Sequence, residues 1–235
     1  QQGRDIEALQ WCNEMIQGGL LPDRITYVSC LKACIGLGTI ISGRLIHMHI
    51  LEVYHCVDST VSNMLLDMYA TCGALTDAIS LFSECSKQDT ITWNVLMKGL
   101  IQNGYEWDAL QFFQQMQQEG VMPNVATFVS LLDACANEAV VSIGRKVHAS
   151  FAGSSFEFNV VIGTALVNMY GKYGDLENAW RIFNLLPHRN TVSWNGMITS
   201  YSLHNQPKRA LNLFEQMMQE GIMPDKFIFV SILST

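Results

Sequence analysis

Apolar residues along this chain recur on a helical period. One row returns at i, i+4, i+7 as Ala8/Cys12/Met15, Ala78/Phe82/Cys85, Ala109/Phe113/Met116, Ala179/Phe183/Leu186 and Ala210/Phe214/Met217. Residues at that spacing share one helical face. The small residue at the head of the row admits a close neighbour, and the larger one a turn later fills the space beside it. Each such stretch follows another helical stretch. Over 90–124 the pattern predicts a first helix from about Ile91 to Gln102, broken by Asn103-Gly104, and a second from about Glu106 to Glu119. Gly120 just past the end and Pro123 beyond it are stop signals.

The same punctuation returns at a fixed interval. Pro22, Pro123 and Pro224 stand 101 residues apart, each closing a phrase that begins with Gly19, Gly120 or Gly221. A fixed period means a solenoid or array, in which function lies in one position per repeat rather than in one pocket. The superperiod divides into units 24–58, 59–89, 90–124, 125–159, 160–190 and 191–225, with partial units at 1–23 and 226–235. A two-helix hairpin cannot bury its apolar face alone. Stacked hairpins can, which predicts an all-α superhelix with a concave surface, first helices on one wall and second helices on the other. Trp93, Trp194, Tyr69 and Tyr170 recur at matching places, and their helical spacing assigns them to packing between hairpins rather than to base stacking.

Composition narrows the class. Apolar residues make up 49% and charged residues 15%, too apolar for a disordered chain. No apolar run approaches the roughly 18 residues of a membrane helix, and no signal or transit peptide is read. The chain is expected to be soluble and folded. Net charge is −7, which counts against tight, unspecific nucleic-acid binding, because phosphate contact calls for lysine and arginine. The seven cysteines (Cys12, Cys30, Cys34, Cys56, Cys72, Cys85 and Cys135) form no Cys-x-x-Cys and read as reduced, buried small hydrophobes.

Several phrases carry a family resemblance. They are Thr92-Trp93-Asn94-Val95-Leu96 with Gly120-Val121-Met122-Pro123-Asn124, and Val192-Ser193-Trp194-Asn195 with Gly221-Ile222-Met223-Pro224-Asp225. Leu66-Asp67-Met68-Tyr69-Ala70-Thr71-Cys72-Gly73 and its counterpart from Val167 to Gly174 belong with them. Across the whole chain these resemble pentatricopeptide repeats rather than tetratricopeptide units. The alternation of 35-, 35- and 31-residue units resembles the plant P-L-S subclass. Ala33-Cys34 followed by Gly43-Arg44-Leu45-Ile46-His47, and Ala134-Cys135 followed by Gly144-Arg145-Lys146-Val147-His148, look like its long units. The resemblance makes 24–58 and 125–159 long (L) units, 59–89 and 160–190 short (S) units, and 90–124 and 191–225 standard (P) units. Residues 1–23 are then a partial P unit, and 226–235 the start of an L unit. It implies a right-handed superhelical α-solenoid.

In that family each unit reads one base of single-stranded RNA through its fifth and last residues, while the second residue sandwiches the base face. Carried over, Asn63 with Asp89 resembles a uridine reader, and so does Asn195 with Asp225. Asn94 with Asn124 resembles a pyrimidine reader that prefers cytidine, and Thr164 with Asn190 the adenine type. Val28/Asp58 and Val129/Asn159 are weak readers, because valine has no hydrogen-bonding side-chain atom. Asp23, which closes the partial first unit, belongs with these weak readers. Thr60, Ile91, Val161 and Val192 are the sandwiching residues. The implied readout from residue 24 is N-U-Y-N-A-U, Y being cytidine before uridine. The competing role for Asn63, Asn94 and Asn195 is helix capping, against which their recurrence in register speaks. The family's basic thirteenth position, which meets phosphate, holds Thr71, Gln102, Lys172 and Leu203 in the S and P units, so only Lys172 fits.

Other chemistry fails on spacing. His47, His49, His55 and Cys56 are not a metal site: His47 and His49 lie two apart on a helix and point to different faces, and His47 occupies the repeat row of His148. There is no His-x-Glu with Cys-x-x-Cys for a zinc deaminase, no phosphate-binding loop and no nucleophile elbow. The expectation is a chain without enzymatic activity, cofactor or metal. By resemblance it is the RNA-recognition segment of a plant C-to-U editing factor in mitochondrion or chloroplast, with accessory editing proteins contacting its L units. The alternatives are a scaffold subunit of an organellar ribonucleoprotein such as a ribosome, or an RNA-processing or stability factor. A pure protein-binding solenoid is disfavoured by the in-register polar pairs.

Overall fold

The computed structural model describes residues 2–54, 58–85, 88–135 and 141–233; among these, helices and turns account for the architecture and no strand occurs. Two compact halves are present, Gln1–Met122 and Pro123–Thr235. The first holds α1 (Gln2–Gln17), α2 (Arg24–Leu37), α3 (Ile40–Val53), α4 (Ser59–Thr71), α5 (Leu75–Glu84), α6 (Thr90–Gln102) and α7 (Glu106–Gln118). The second holds α8 (Val125–Ala134), α9 (Val141–Ser150), a 3-10 turn (Ser155–Phe158), α10 (Val160–Tyr173), α11 (Leu176–Leu185), α12 (Thr191–Leu203), α13 (Pro207–Gln219) and α14 (Lys226–Leu233). In the first half α2, α4 and α6 pack in succession, while α3 and α5 each wedge between the first helix of their own unit and that of the next. The second half repeats this arrangement with α8, α10, α12 and α14 in succession and α9, α11 and α13 wedged between them.

The periodic rows form the cores. Ala78, Phe82, Ala109, Phe113, Met116, Ala179, Phe183, Leu186, Ala210 and Met217 are buried. Trp93 and Trp194 are wholly buried. Phe82 meets the Trp93 ring edge-on at 4.6 Å between centroids, and Phe183 meets Trp194 at 4.9 Å. Such pairs contribute about 0.5–1.5 kcal/mol beyond burial. The loop into the next first helix is then tied back: Gln88 Nε2 donates to the Phe82 carbonyl at 2.9 Å, and Arg189 Nε to the Phe183 carbonyl at 3.2 Å.

Residues 24–58 and 125–159 are each joined to the helix that follows by a histidine–tyrosine pair. His47 Nδ1 lies 2.8 Å from Tyr69 Oη, and His148 Nδ1 lies 3.0 Å from Tyr170 Oη. His49 engages a different ring, with Nδ1 2.9 Å from Tyr27 Oη. The two histidines read as unsuited to a shared metal therefore serve separate tyrosines. His55 and Cys56 lie outside the described residues.

Candidate nucleic-acid interface

The last residue of every unit stops the connecting loop and starts the next helix. Asp23, Asp58, Asp89, Asn124, Asn159 and Asn190 are the N-caps of α2, α4, α6, α8, α10 and α12. In each, Oδ1 accepts backbone N–H. Asp89 takes Ile91 and Thr92 at 3.0 Å each, Asn190 takes Ser193 at 2.9 Å, and Asn159 takes Val161 at 3.0 Å and Ile162 at 3.2 Å. Asp225 does the same for Phe227 at 2.9 Å and Ile228 at 3.1 Å. Asn124 forms a full capping box with Thr127. The hydrogen bonds donated by Thr26 to Asp23, and by Thr60 to Asp58, hold both carboxyls below their usual range.

A backbone N–H only donates, so the cap settles which end of an asparagine amide faces the helix. Oδ1 turns in and Nδ2 becomes the second terminal atom of Asn124, Asn159 and Asn190. In Asp58, Asp89 and Asp225 the second atom is a carboxylate oxygen. The second atom is thus a donor in units ending in Asn and an acceptor in units ending in Asp, and that of Asp58 already lies 3.5 Å from Arg24 Nη1.

The fifth residues sit one turn inside their helices and are not caps. Asn63, Asn94 and Asn195 are half-buried, as are Val28 and Val129. Thr164 differs: it is 7% exposed, and its hydroxyl donates to the Val160 carbonyl at 2.7 Å. With its proton so held, that hydroxyl can only accept a further hydrogen bond. The second residues stand out in solvent, with Ile91 59%, Val161 56% and Val192 57% exposed and Thr60 exposed as well. Three members of this row escaped the sequence reading, among them the exposed Ala126. Ile25 and Phe227, second in their units, are 68% and 59% exposed. Counting two residues on from each cap would have found all three.

One cleft of about 210 Å³ between α10 and α12 gathers several of these groups. Lys172, Val192 and Asn195 line it with Asn168, Thr199 and Leu203. The basic thirteenth-position residue thus lies beside a fifth and a second residue, while Thr164 and Asp225 are not among the lining groups. Asp133 is raised above the usual carboxylate range by burial, and the Lys172 charge opposes that rise. In the first half Lys98 lies 3.5 Å from Asp67. Among the described residues, no group of three or more metal-ligating side chains occurs, and no helix is long and apolar enough to cross a membrane.

Comparison with known proteins gives these rows a context. The model of the PPR repeat family matches residues 88–137 and 189–234, and a second PPR repeat model matches 164–190, together just over half of the chain. A pentatricopeptide repeat-containing protein of Arabidopsis thaliana is 34% identical over 233 residues, spanning 99% of this chain and 26% of the relative. Another from that plant, named as chloroplastic, is 34% identical over all of this chain and 38% of its own length. A third, named as mitochondrial, is 36% identical over 92% of this chain and 34% of the relative. This chain thus spans about a quarter to two fifths of these relatives. Among solved structures, the pentatricopeptide repeat protein PPR10 in complex with an 18-nt psaJ RNA element matches 98% of this chain and 35% of its own. The TM-score is 0.76 at 20% identity, a likeness of fold.

Proposed function

We propose, because this chain belongs to the pentatricopeptide repeat family, that it binds single-stranded RNA with one base facing each unit. The reading runs N-U-C/U-N-A-U across units 24–58, 59–89, 90–124, 125–159, 160–190 and 191–225. The observation that carries it is the cap at each last residue, which fixes the second side-chain atom as donor or acceptor. Uracil presents N3–H, a donor, and suits the second carboxylate oxygen of Asp89 and Asp225. Unprotonated cytosine presents N3 as an acceptor and suits the Nδ2 of Asn124. Adenine presents an N1 acceptor and an N6 donor, which suit Asn190 Nδ2 and the accept-only hydroxyl of Thr164. Ile91, Val161 and Val192 supply exposed apolar contact for base faces, and Lys172 a phosphate contact.

The larger role we infer is recognition within a longer organellar protein of the P-L-S editing type, with the C-to-U chemistry supplied by another domain or a partner. The alternating unit lengths support this, as do relatives named as chloroplastic and mitochondrial. Accessory proteins would meet the first L unit, where Ile41, Leu45, Met48 and Leu51 form an exposed apolar stripe on α3. The corresponding places in the second L unit are Ser142, Lys146, Ala149 and Ala152. The second reading, a scaffold within a ribonucleoprotein, is favoured by the net charge of −7 and by the single lysine in the thirteenth row.

Titration with short RNAs tests the readout. N-U-Y-N-A-U should bind more tightly than an RNA with its specified bases transposed, and equal affinity would refute base reading. Thr164→Asn with Asn190→Asp should move one position from A to U. Affinity should fall with salt on a shallow slope, since few phosphates are neutralised.

A further inference from the structure

A second polar row lies one helical turn beyond the fifth residues. The ninth places of the six complete units are Lys32, Asp67, Lys98, Asp133, Asn168 and Thr199, each with a side chain able to form a hydrogen bond. On the first helices they follow the fifth residues at i+4, where side chains on one face meet. Thr199 shows what such a neighbour does. Its Oγ1 donates to Asn195 Oδ1 at 3.2 Å and lies 2.8 Å from Ser231 Oγ on α14. A hydroxyl carries one proton. With that of Thr199 on the amide oxygen, the bond between the hydroxyls uses the proton of Ser231, which otherwise points to the Phe227 carbonyl at 3.0 Å. Asn195 and Thr199 both line the cleft that holds Lys172 and Val192.

We propose that Thr199, braced by Ser231, is a positioning residue that sets base specificity in unit 191–225 by holding the Asn195 amide oxygen inward and its NH2 group toward the base. This rests on the RNA-reading function above. With Nδ2 as donor and Asp225 as acceptor, the unit matches the O4 and N3–H of uracil. Cytosine places an N4–H2 donor and an N3 acceptor against the same two groups, so both contacts become like against like. An unheld amide flips, offers Oδ1 to cytosine N4–H2, and recovers one of the two contacts. The ninth residue thereby decides how strictly a fifth-place asparagine separates uridine from cytidine. In the first half the residue four places beyond Asn94 is Lys98, engaged with Asp67, so the device differs between copies.

The experiment measures affinity of the whole chain for RNAs carrying U or C opposite unit 191–225, with A or G opposite unit 160–190 as an internal reference. Thr199→Val, nearly isosteric, should lower the U-over-C ratio roughly three- to tenfold, the worth of one net hydrogen bond. The A-over-G ratio should not move. Thr199→Ser should restore the U-over-C ratio, and Ser231→Ala should lower it in the same direction. An unchanged U-over-C ratio in Thr199→Val, with wild type discriminating, overturns the proposal. Equal loss of both ratios overturns it too, since that is general weakening. A wild-type chain with no base preference at this position defeats the underlying reading instead.

Discussion

The two halves carry the same 101-residue pattern and meet one packing problem in mirror fashion. Where α4 crosses α6, the close residues are Ala70 and Gly99, and a Cβ added to Gly99 would collide with that of Ala70. Where α10 crosses α12 the order is reversed: Gly171 faces Ser200, and a Cβ on Gly171 would collide with the serine hydroxyl. What is held constant is the pair, one residue without a side chain against one small residue. A similar exchange pins the same helix ends. Asn103 Nδ2 donates to the Ala70 carbonyl at 2.8 Å, and at its counterpart His204 Nε2 lies 2.9 Å from the Gly171 carbonyl. At the starts of α5 and α11, Arg44 pairs with Asp77 whereas Arg145 pairs with Asp175 at 3.0 Å. Moving the acid three places also turns it into a cap, for Asp175 Oδ1 accepts from Asn178 N, while Ala74 offers α5 none. Repeats conserve the contact and let the residues that make it trade places.

The largest effects test whether the halves are equivalent. Trp93→Ala and Trp194→Ala should each cost about 3–5 kcal/mol, read from urea midpoints, and a marked inequality would break the equivalence. Gly171→Ala should cost about 1–3 kcal/mol by overpacking, and adding Ser200→Gly should recover most of it. Gly99→Ala should behave alike and be rescued by Ala70→Gly. If neither exchange rescues, the mirror relation is wrong. Smaller again, Asp175→Ala should cost about 1 kcal/mol as a lost cap, and Ala74→Asp should return a similar amount to the first half. Asp175→Asn keeps the cap but loses the half-exposed ion pair with Arg145 and the bond from Asn178 Nδ2 at 2.9 Å, so it should cost about 1 kcal/mol.

The smallest effect is in pH. Burial holds His47 and His148 below the usual histidine range. Their unfolded forms therefore take up protons first, and stability present above about pH 6.5 is lost as pH falls through the folded values. Glu84 and Asp77 partly offset burial at His47. At His148 one acid, Glu157, is opposed by Arg181. His148→Gln should accordingly flatten the acid limb of the stability curve more than His47→Gln, as measured by melting between about pH 7 and 5.

Much of this was legible in the chain because it is periodic. The expected helices Ile91–Gln102 and Glu106–Glu119 are found as Thr90–Gln102 and Glu106–Gln118, and Gly120, at φ 76°, takes the left-handed turn that stops the second. Trp93, Trp194, Tyr69 and Tyr170 are buried, as their spacing implied. Capping is the competing role for Asn63, Asn94 and Asn195, yet the caps are the last residues. A cap is fixed by where a loop ends, which hydrophobic period does not encode. Nor does the pattern encode the burial of Thr164, or the bond from Thr199 to Ser231 thirty-two residues away. Those depend on which helix lies alongside, and the Gly99 and Gly171 exchange becomes visible only once the partners are known.

The caps carry a consequence for how such a protein can change its target. On the proposed reading, each closing residue answers to folding before it answers to RNA, since the following helix begins on its Oδ1. Asp and Asn are close to interchangeable as caps, while their second atoms have opposite polarity. A lineage can therefore drift between the two at positions 89, 124, 190 and 225, rewriting one letter of its target at little cost in foldedness. Larger departures must first survive a weakened helix. The vocabulary of the code would then be limited by what can begin a helix as much as by what can recognise a base.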